Sequence, residues 1–321
     1  MDSVLSPSAW LLAGVQALLF VAAAPLLAAW VKKVKSRLQN RRGPSLFQPY
    51  QNLWKLFGKE ALVAHSATAV FRAAPYIVFG STWLAASVIP LIATKLPTAA
   101  VADVIVLVGF LALGRFFLAL AGMDVGTAFG GMGSSREMLV AALAEPALLM
   151  AVFTLTMTAH TTNLSSVVDH ALGSTLLLRP SFLFALGALV LVAVAETGRI
   201  PVDNPATHLE LTMIHEAMIL EYSGRHLALM EWAAQLKLMI YGALIANVFF
   251  PWGMATELNL SALALGLGAV SAKLVILGVL LAVGETVLAK MRLFRAPQYL
   301  NLAFLLALLG MFSHVILEVG A

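Results

Sequence analysis

Long apolar runs separated by short polar segments form the dominant pattern of this chain. Eight such runs lie near residues 8–31, 73–94, 99–122, 138–160, 181–198, 226–250, 262–284 and 299–319. A helix needs about 20 apolar residues to cross the hydrocarbon of a bilayer. The sequence MDSVLSPSAW at the start has no basic residue and no A-x-A cleavage site, so the first run is expected to remain as a helix. We therefore predict an all-α, polytopic membrane protein with about eight transmembrane helices, built as one integral membrane domain over residues 1–321.

The basic residues between the runs predict the orientation of these helices. If the N-terminus lies outside, the inside segments hold fifteen of the 20 lysines and arginines. The outside segments hold only Lys95 and Arg179, while Arg115, Lys237 and Lys273 lie within the predicted spans. Because basic residues concentrate on the cytoplasmic side, the pattern predicts that both termini lie outside.

Three of the predicted inside segments have distinct compositions. Residues 32–66 mix basic residues with Leu, Phe, Tyr and Trp, which is typical of an amphipathic segment on the membrane surface. Residues 122–135 are rich in glycine but lack the Gly-Lys-Ser/Thr ending of a phosphate-binding loop. We interpret them as a flexible or closely packed loop. Residues 199–225 form a polar loop.

The overall composition agrees with a membrane protein. Hydrophobic residues make up 61% of the chain and charged residues 11%, whereas soluble domains carry roughly 25% charged residues. The net charge of +4 follows from the loop lysines and arginines, which topology explains better than nucleic-acid binding. The lack of cysteine excludes disulfides and cysteine-bound iron–sulfur clusters or zinc within this chain.

The rare ionisable residues collect between Glu196 and Lys237. Charge at membrane depth is costly, so such residues are functional candidates. Glu145 adds a carboxylate about two turns deeper than Glu137, which lies at the predicted inside boundary where water can solvate it. A row of carboxylates suits proton movement, because burial and crowding of like charges bring carboxylate pKa values toward neutral. The candidates for a proton path are Glu145, Glu196, Glu210, Glu216, Glu221, Glu231 and Lys237. The alternative is that these side chains only pack against polar partners.

Other kinds of site find little support in the sequence. His208, Glu210, His215 and Glu216 lie close together but lack the four-residue histidine spacing of H-E-x-x-H zinc sites. No G-x-S-x-G nucleophile pattern is present. We therefore predict no metal site and no catalytic residue in this chain.

Several motifs match a known family. AETGRIPVD at 195–203 resembles the A-E-T-N-R-x-P-F-D signature of subunit 1 of respiratory complex I, and EYSG at 221–224 matches its E-Y-S-G. RLQNRRGP at 37–44 resembles its R-x-Q-x-R-x-G-P, and QP at 48–49 with KLFGKE at 55–60 matches the segment that follows. The order and spacing of these motifs agree from residue 37 to residue 224.

Two segments depart from the respiratory subunits. The family's E-A-E-x-E cluster is replaced here by Ala206, His208 and Glu210, so two carboxylates are missing. DNPATHLELTMIHEAM at 203–218 and SSREMLVAALAEPALLM at 134–150 resemble instead the membrane subunit of energy-converting NiFe hydrogenases, as in formate hydrogenlyase and hydrogenase-4.

This resemblance implies a non-catalytic subunit in a bacterial or archaeal cytoplasmic (inner) membrane. It implies as partners the hydrogenase large and small subunits, iron–sulfur subunits and antiporter-like membrane subunits, with the NiFe centre and iron–sulfur clusters on those partners and no cofactor in this chain. The chain is expected to link redox chemistry to movement of protons or Na⁺. Candidates for docking and coupling are Arg37, Arg41, Arg136, Glu137, Arg199, Asp203, His208 and His215.

Two other functions remain open at this point. The chain could help to form the quinone chamber of a respiratory complex I. It could also be a stand-alone ion transporter, although no internal repeat of the kind found in many transporters is evident.

Overall fold

The computed structural model describes residues 7–94, 96–173, 179–203, 214–256 and 259–318. Over these ranges the chain is helical and forms no β-strand, only two isolated bridges at Ala93–Ala255 and Asp103–Asn163. The described α-helices are α1 (Pro7–Leu38), α2 (Gln48–Phe57), α3 (Ala69–Val88), α4 (Val104–Asp124), α5 (Ala128–Ala159), α6 (Leu164–Leu172), α7 (Pro180–Glu196), α8 (His215–Ile219), α9 (Gly224–Leu244), α10 (Leu260–Val287) and α11 (Ala296–Ser313).

The long helices confirm the prediction of an all-α, polytopic membrane protein. Among the described residues, six helices are long and apolar enough to cross a membrane: α1, α4, α5, α9 with its extension to Phe249, α10, and α11 with its extension to Leu317. The other two predicted runs coincide with α3, which has 20 residues, and α7, which is apolar but has only 17. The predicted orientation of the termini stays a prediction.

The glycine-rich segment at 122–135 is mostly helix rather than loop. Thr127 caps α5, which begins at Ala128, ten residues before the predicted span. A Cβ atom at Gly130 would lie 2.1 Å from the carbonyl oxygen of Gly122 on α4. At Gly133, a Cβ would lie 3.0 Å from Ala217 of α8. The glycines therefore permit close helix packing, which periodicity alone could not reveal.

The helices form one bundle with a less crowded side. The closest packing joins α3 with α4, α11 with both α5 and α7, α5 with α7, and α3 with α9. Large side chains from these helices, such as Leu107, Leu148, Leu189 and Phe249, are fully buried in the core. In contrast, α10 packs against α1 and α9 but not closely against α7 or α11.

Two segments distant in sequence are joined at the end of the bundle where α9 begins. The hydroxyl of Ser223 accepts from the Leu62 amide at 2.8 Å and donates to the Leu62 carbonyl at 3.0 Å. Next to it, Gly224 has a φ of +54°, and a Cβ there would lie 2.4 Å from the carbonyl oxygen of Glu60. Glycine is therefore required at this position by its backbone angle and by the close approach.

Candidate functional site

The charged site inside the bundle is built around Arg115 of α4. Its side chain is only 3% exposed and contacts three carboxylates on two other helices. One terminal nitrogen lies 2.5 Å from Glu145 on α5, and the other donates to Glu196 at the end of α7. Its Nε atom lies 3.7 Å from Glu137, which is also on α5. The planar guanidinium offers five N–H donors in a fixed fork, so it can serve several carboxylates at once.

Glu196 also receives a second cation. Lys237 of α9 places its Nζ atom 2.8 Å from the same Oε2 atom that Arg115 contacts. The carboxylate of Glu196 is 1% exposed and thus lies between two cations with almost no access to water. We call Arg115, Glu137, Glu145, Glu196 and Lys237 the charge cluster. With every member ionised, the charge cluster carries one net negative charge.

A small cavity joins the charge cluster to the described parts of the polar loop, residues 199–203 and 214–225, which we call the polar segment. Its volume is about 60 Å³, and it is lined by Arg115, Glu196 and Lys237 on one side and by Asp203 and His215 on the other. A cavity of this size has room for a few water molecules, which its charged lining groups could hydrogen-bond. The Nε2 atom of His215 is buried and has no hydrogen-bond partner among the described residues, so it is placed to bond such a water.

A second group of ion pairs fixes the polar segment to the rest of the bundle. Glu285 of α10 accepts from Lys35 of α1 at 2.6 Å and from Arg199 at 3.0 Å. Asp203 accepts from Lys290 at 3.1 Å and from the backbone amide of Ile214 at 3.2 Å. These contacts tie together segments from four parts of the sequence. Arg199 and Asp203, predicted as docking residues, are therefore engaged within the chain.

The other predicted site residues lie outside the charge cluster or outside the described part of the chain. Glu216 and Glu231 are partly buried, and Glu231 lies within reach of the charges of Glu216 and Lys32. Glu221 is exposed, as are Arg37 and Arg41, whereas Arg136 is partly buried. His208 and Glu210 fall between 204 and 213, which the structure does not describe.

Several residues of the site were not selected from the sequence. Arg115, Lys35, Glu285 and Lys290 carry or anchor the ion pairs, and Tyr241 of α9 is fully buried with an unpartnered hydroxyl among the described groups. Arg115 and Glu285 could have been found by applying the cost of buried charge to every span. The position of Glu137 differs from its expected place at a solvated boundary, since its side chain is only 12% exposed.

The charge cluster brings together ionisable side chains from four helices. Carboxylates from α5 and α7 alternate with cations from α4 and α9, and the small cavity borders Arg115, Glu196 and Lys237. Within the described residues, no group of three His, Cys, Asp or Glu side chains is placed to hold a metal ion.

Comparisons with known proteins find relatives over almost the whole chain. Residues 11–316 match the protein family described as NADH dehydrogenase. Formate hydrogenlyase subunit 4 of Escherichia coli (strain K12) is 32% identical over 299 residues, covering 93% of this chain and 96% of that protein. Hydrogenase-4 component C of the same organism is 33% identical over 296 residues, covering 92% of each.

A solved structure is also similar in three dimensions. The match is to a chain of the membrane-bound sulfane sulfur reductase, an archaeal respiratory membrane complex. The TM-score is 0.80, with 95% of this chain and 99% of that chain covered at 20% identity. At this identity the likeness concerns the fold alone.

Proposed function

Because the chain belongs to the NADH dehydrogenase family, we propose that it is the membrane-anchor and energy-coupling subunit of a group 4 NiFe-hydrogenase complex. Membership of this family confirms the resemblance to complex I subunit 1 inferred from the motifs at 37–60, 195–203 and 221–224. The identities of 32% and 33% to two hydrogenase-complex proteins favour the hydrogenase branch, of the formate hydrogenlyase or hydrogenase-4 type.

The observation that carries the coupling role is the continuous path between the polar segment and the bundle interior. It begins at Asp203 and His215, crosses the cavity to Glu196, and continues through Arg115 to Glu145. A shift of the polar segment would change the electrostatic environment of Glu196, because the same cavity borders both. In this proposal the peripheral arm moves the segment, and the charge cluster responds by exchanging protons or by admitting Na⁺.

The partners follow from the same proposal. Hydrogenase large and small subunits and iron–sulfur subunits contact the basic face that includes Arg37, Arg41 and Arg136, and antiporter-like membrane subunits lie beside the bundle. The NiFe centre and iron–sulfur clusters belong to those partners, because this chain has no cysteine to hold them. The complex lies in the cytoplasmic (inner) membrane.

The coupling role is tested by replacing titratable carboxylates of the charge cluster with side chains of the same shape that cannot bind or release a proton. Glutamine is nearly isosteric with glutamate and can still accept hydrogen bonds from the neighbouring cations, but it cannot titrate. Glu196→Gln and Glu145→Gln should therefore impair proton or Na⁺ movement coupled to turnover beyond any loss of assembled complex. We expect a loss of at least about tenfold for Glu196→Gln, since positioned acid–base groups contribute on the order of 10²–10⁴-fold. The measurement is ion uptake by inverted membrane vesicles together with hydrogen evolution.

The exposed Glu60 supplies the control. Glu60→Gln makes the same chemical change at an exposed side chain outside the charge cluster. It keeps the backbone carbonyl that lies against Gly224, so it should behave as the wild type. Wild-type ion movement in both cluster variants would contradict the proposal. Quinone reduction by the purified complex, in place of hydrogen evolution, would assign the chain to the respiratory branch instead.

A further inference from the structure

A large apolar groove lies on the less crowded side of the bundle. It has a volume of about 330 Å³ and is bordered by α1, α7, α9, α10 and α11. Its walls are almost entirely aliphatic, with Val190 of α7 and Leu280 of α10 as examples. These two side chains are 40% and 61% exposed, so the groove opens sideways, toward the surface that faces lipid in a membrane-spanning bundle.

The groove runs along α10 for about the depth of one membrane leaflet. Its lining on this helix extends from Leu274 to Glu285, which corresponds to about 17 Å at 1.5 Å per residue, and Leu288 follows just beyond the helix. One leaflet contributes about half of the 30 Å hydrocarbon core. The lining begins halfway along α10, whereas a docked transmembrane helix would need a seam along the whole length. An acyl chain entering from one side fits these dimensions better.

The open end of the groove is basic. Glu285 lines it, and its two partners Lys35 and Arg199 lie beside the lining and are partly exposed, so the three groups together leave one positive charge in excess. Lys35 and Arg199 each donate one hydrogen bond to Glu285, so their remaining N–H groups can bind a ligand. Arg292 and Arg295 are exposed just beyond the end of α10 and add to the positive charge. This is the end that the loop charges predict to be cytoplasmic.

We propose that the groove binds an anionic glycerophospholipid, with an acyl chain against α10 and the phosphate at Lys35 and Arg199. Basic pockets between transmembrane helices on the cytoplasmic side are suited to anionic headgroups. A neutral isoprenoid would gain no electrostatic binding energy from the cations at the open end of the groove. The bound lipid also contacts Thr197, Ile200 and Pro201 of the groove wall, and so supports the segment that carries Arg199. Binding is independent of the proposed hydrogenase function.

Two glycines of α10 permit a matched test. Gly284 lines the groove and Gly268 lies outside its lining, and a Cβ atom at either position would meet no atom within 4 Å. Gly284→Phe fills the groove, whereas Gly268→Phe adds the same ring at an exposed position on the same helix. The detergent-purified complex is analysed by mass spectrometry for phosphatidylglycerol, cardiolipin and neutral isoprenoids. We expect Gly284→Phe to lose about one anionic lipid per complex and Gly268→Phe to lose none.

Two outcomes overturn the proposal. The first is an equal number of anionic lipids in the wild type and both variants, and the second is loss of a neutral isoprenoid instead of a phospholipid. If Gly284→Phe fails to assemble, Lys35→Gln is tested in its place, because it removes a positive charge at the open end and leaves the groove itself open. Loss of the anionic lipid from that variant supports the proposal, and retention at the wild-type number overturns it. Neither count depends on hydrogen turnover.

Discussion

The buried guanidinium of Arg115 has a structural role that can be separated from any role in coupling. It is the cation shared by carboxylates of α5 and α7, and both Arg115 and Glu196 are almost fully buried. Removing one partner of a buried ion pair leaves an uncompensated charge, which costs about 3–5 kcal/mol. The position therefore holds helices together as well as setting their electrostatics.

For Arg115→Met we expect a loss of unfolding free energy of about 3–5 kcal/mol. The measurement is the amount of chain that remains in membranes and the temperature at which the purified complex aggregates. Arg115→Lys should be milder, because it keeps the charge but lacks the fork that reaches two carboxylates. In the double variant Arg115→Met with Glu196→Gln, part of the loss should be recovered. Full accumulation of Arg115→Met alone would show that the ion pairs contribute little.

For single residues, the sequence was enough to select the acidic side chains of the charge cluster but not to predict which cations they contact. The cost of charge at membrane depth was enough to select Glu145, Glu196 and Lys237. A single sequence carries no information on which helices are neighbours, so the contact of Arg115 with Glu196, 81 positions away, could not be predicted. Glu137 lies within the bundle rather than at a solvated boundary because α5 begins ten residues before its apolar run.

Among the helices, the contact between α4 and α5 depends most directly on small residues. At Gly130 the two backbones approach so closely that a methyl group has no space, since it would lie 2.1 Å from the Gly122 carbonyl oxygen. The neighbouring Gly131 faces open space, with no atom within 4 Å of a built Cβ. The two glycines therefore provide a test with an internal control.

We expect Gly130→Ala to separate α4 from α5 and to lower the melting temperature of the complex, because backbone atoms cannot move aside as a flexible side chain can. Its cost should be in the range of about 1–3 kcal/mol seen for overpacked cores. Gly131→Ala should be neutral or should stabilise the helix by up to about 1 kcal/mol, since alanine has the higher helix propensity. Equal melting temperatures for the two variants would contradict this account of the packing.

The positions of the spanning helices could be predicted because a bilayer requires long apolar runs. Their ends could not, as α5 shows by extending ten residues beyond its apolar run into a glycine-rich segment. Those residues are helical because of what they pack against, namely Gly122 of α4 and Ala217 of α8. Hydropathy does not record such tertiary contacts.

For the whole molecule, the predicted orientation can be tested with single introduced cysteines, because the chain has no cysteine of its own. Ser66 and Ser166 are both exposed and lie at opposite ends of the bundle, after α2 and within α6. Because fifteen of the loop lysines and arginines fall on one side, Ser66→Cys should react with a membrane-impermeant maleimide only from the cytoplasm. Ser166→Cys should react only from the periplasm. Labelling of both from one side would overturn the eight-helix topology.

The contact between Ser223 and Leu62 has a mechanical consequence. It attaches the loop after α2 to Ser223, the residue that precedes α9, and Lys237 lies fourteen residues further along the chain, about 21 Å away. A helix of this length behaves as a stiff rod over such a distance. We therefore expect a displacement of the loop to be transmitted along α9 and to move Lys237 relative to Glu196. Because N–H···O hydrogen bonds span about 2.7–3.2 Å, a displacement of about 1 Å carries the 2.8 Å contact between Lys237 and Glu196 beyond hydrogen-bond range.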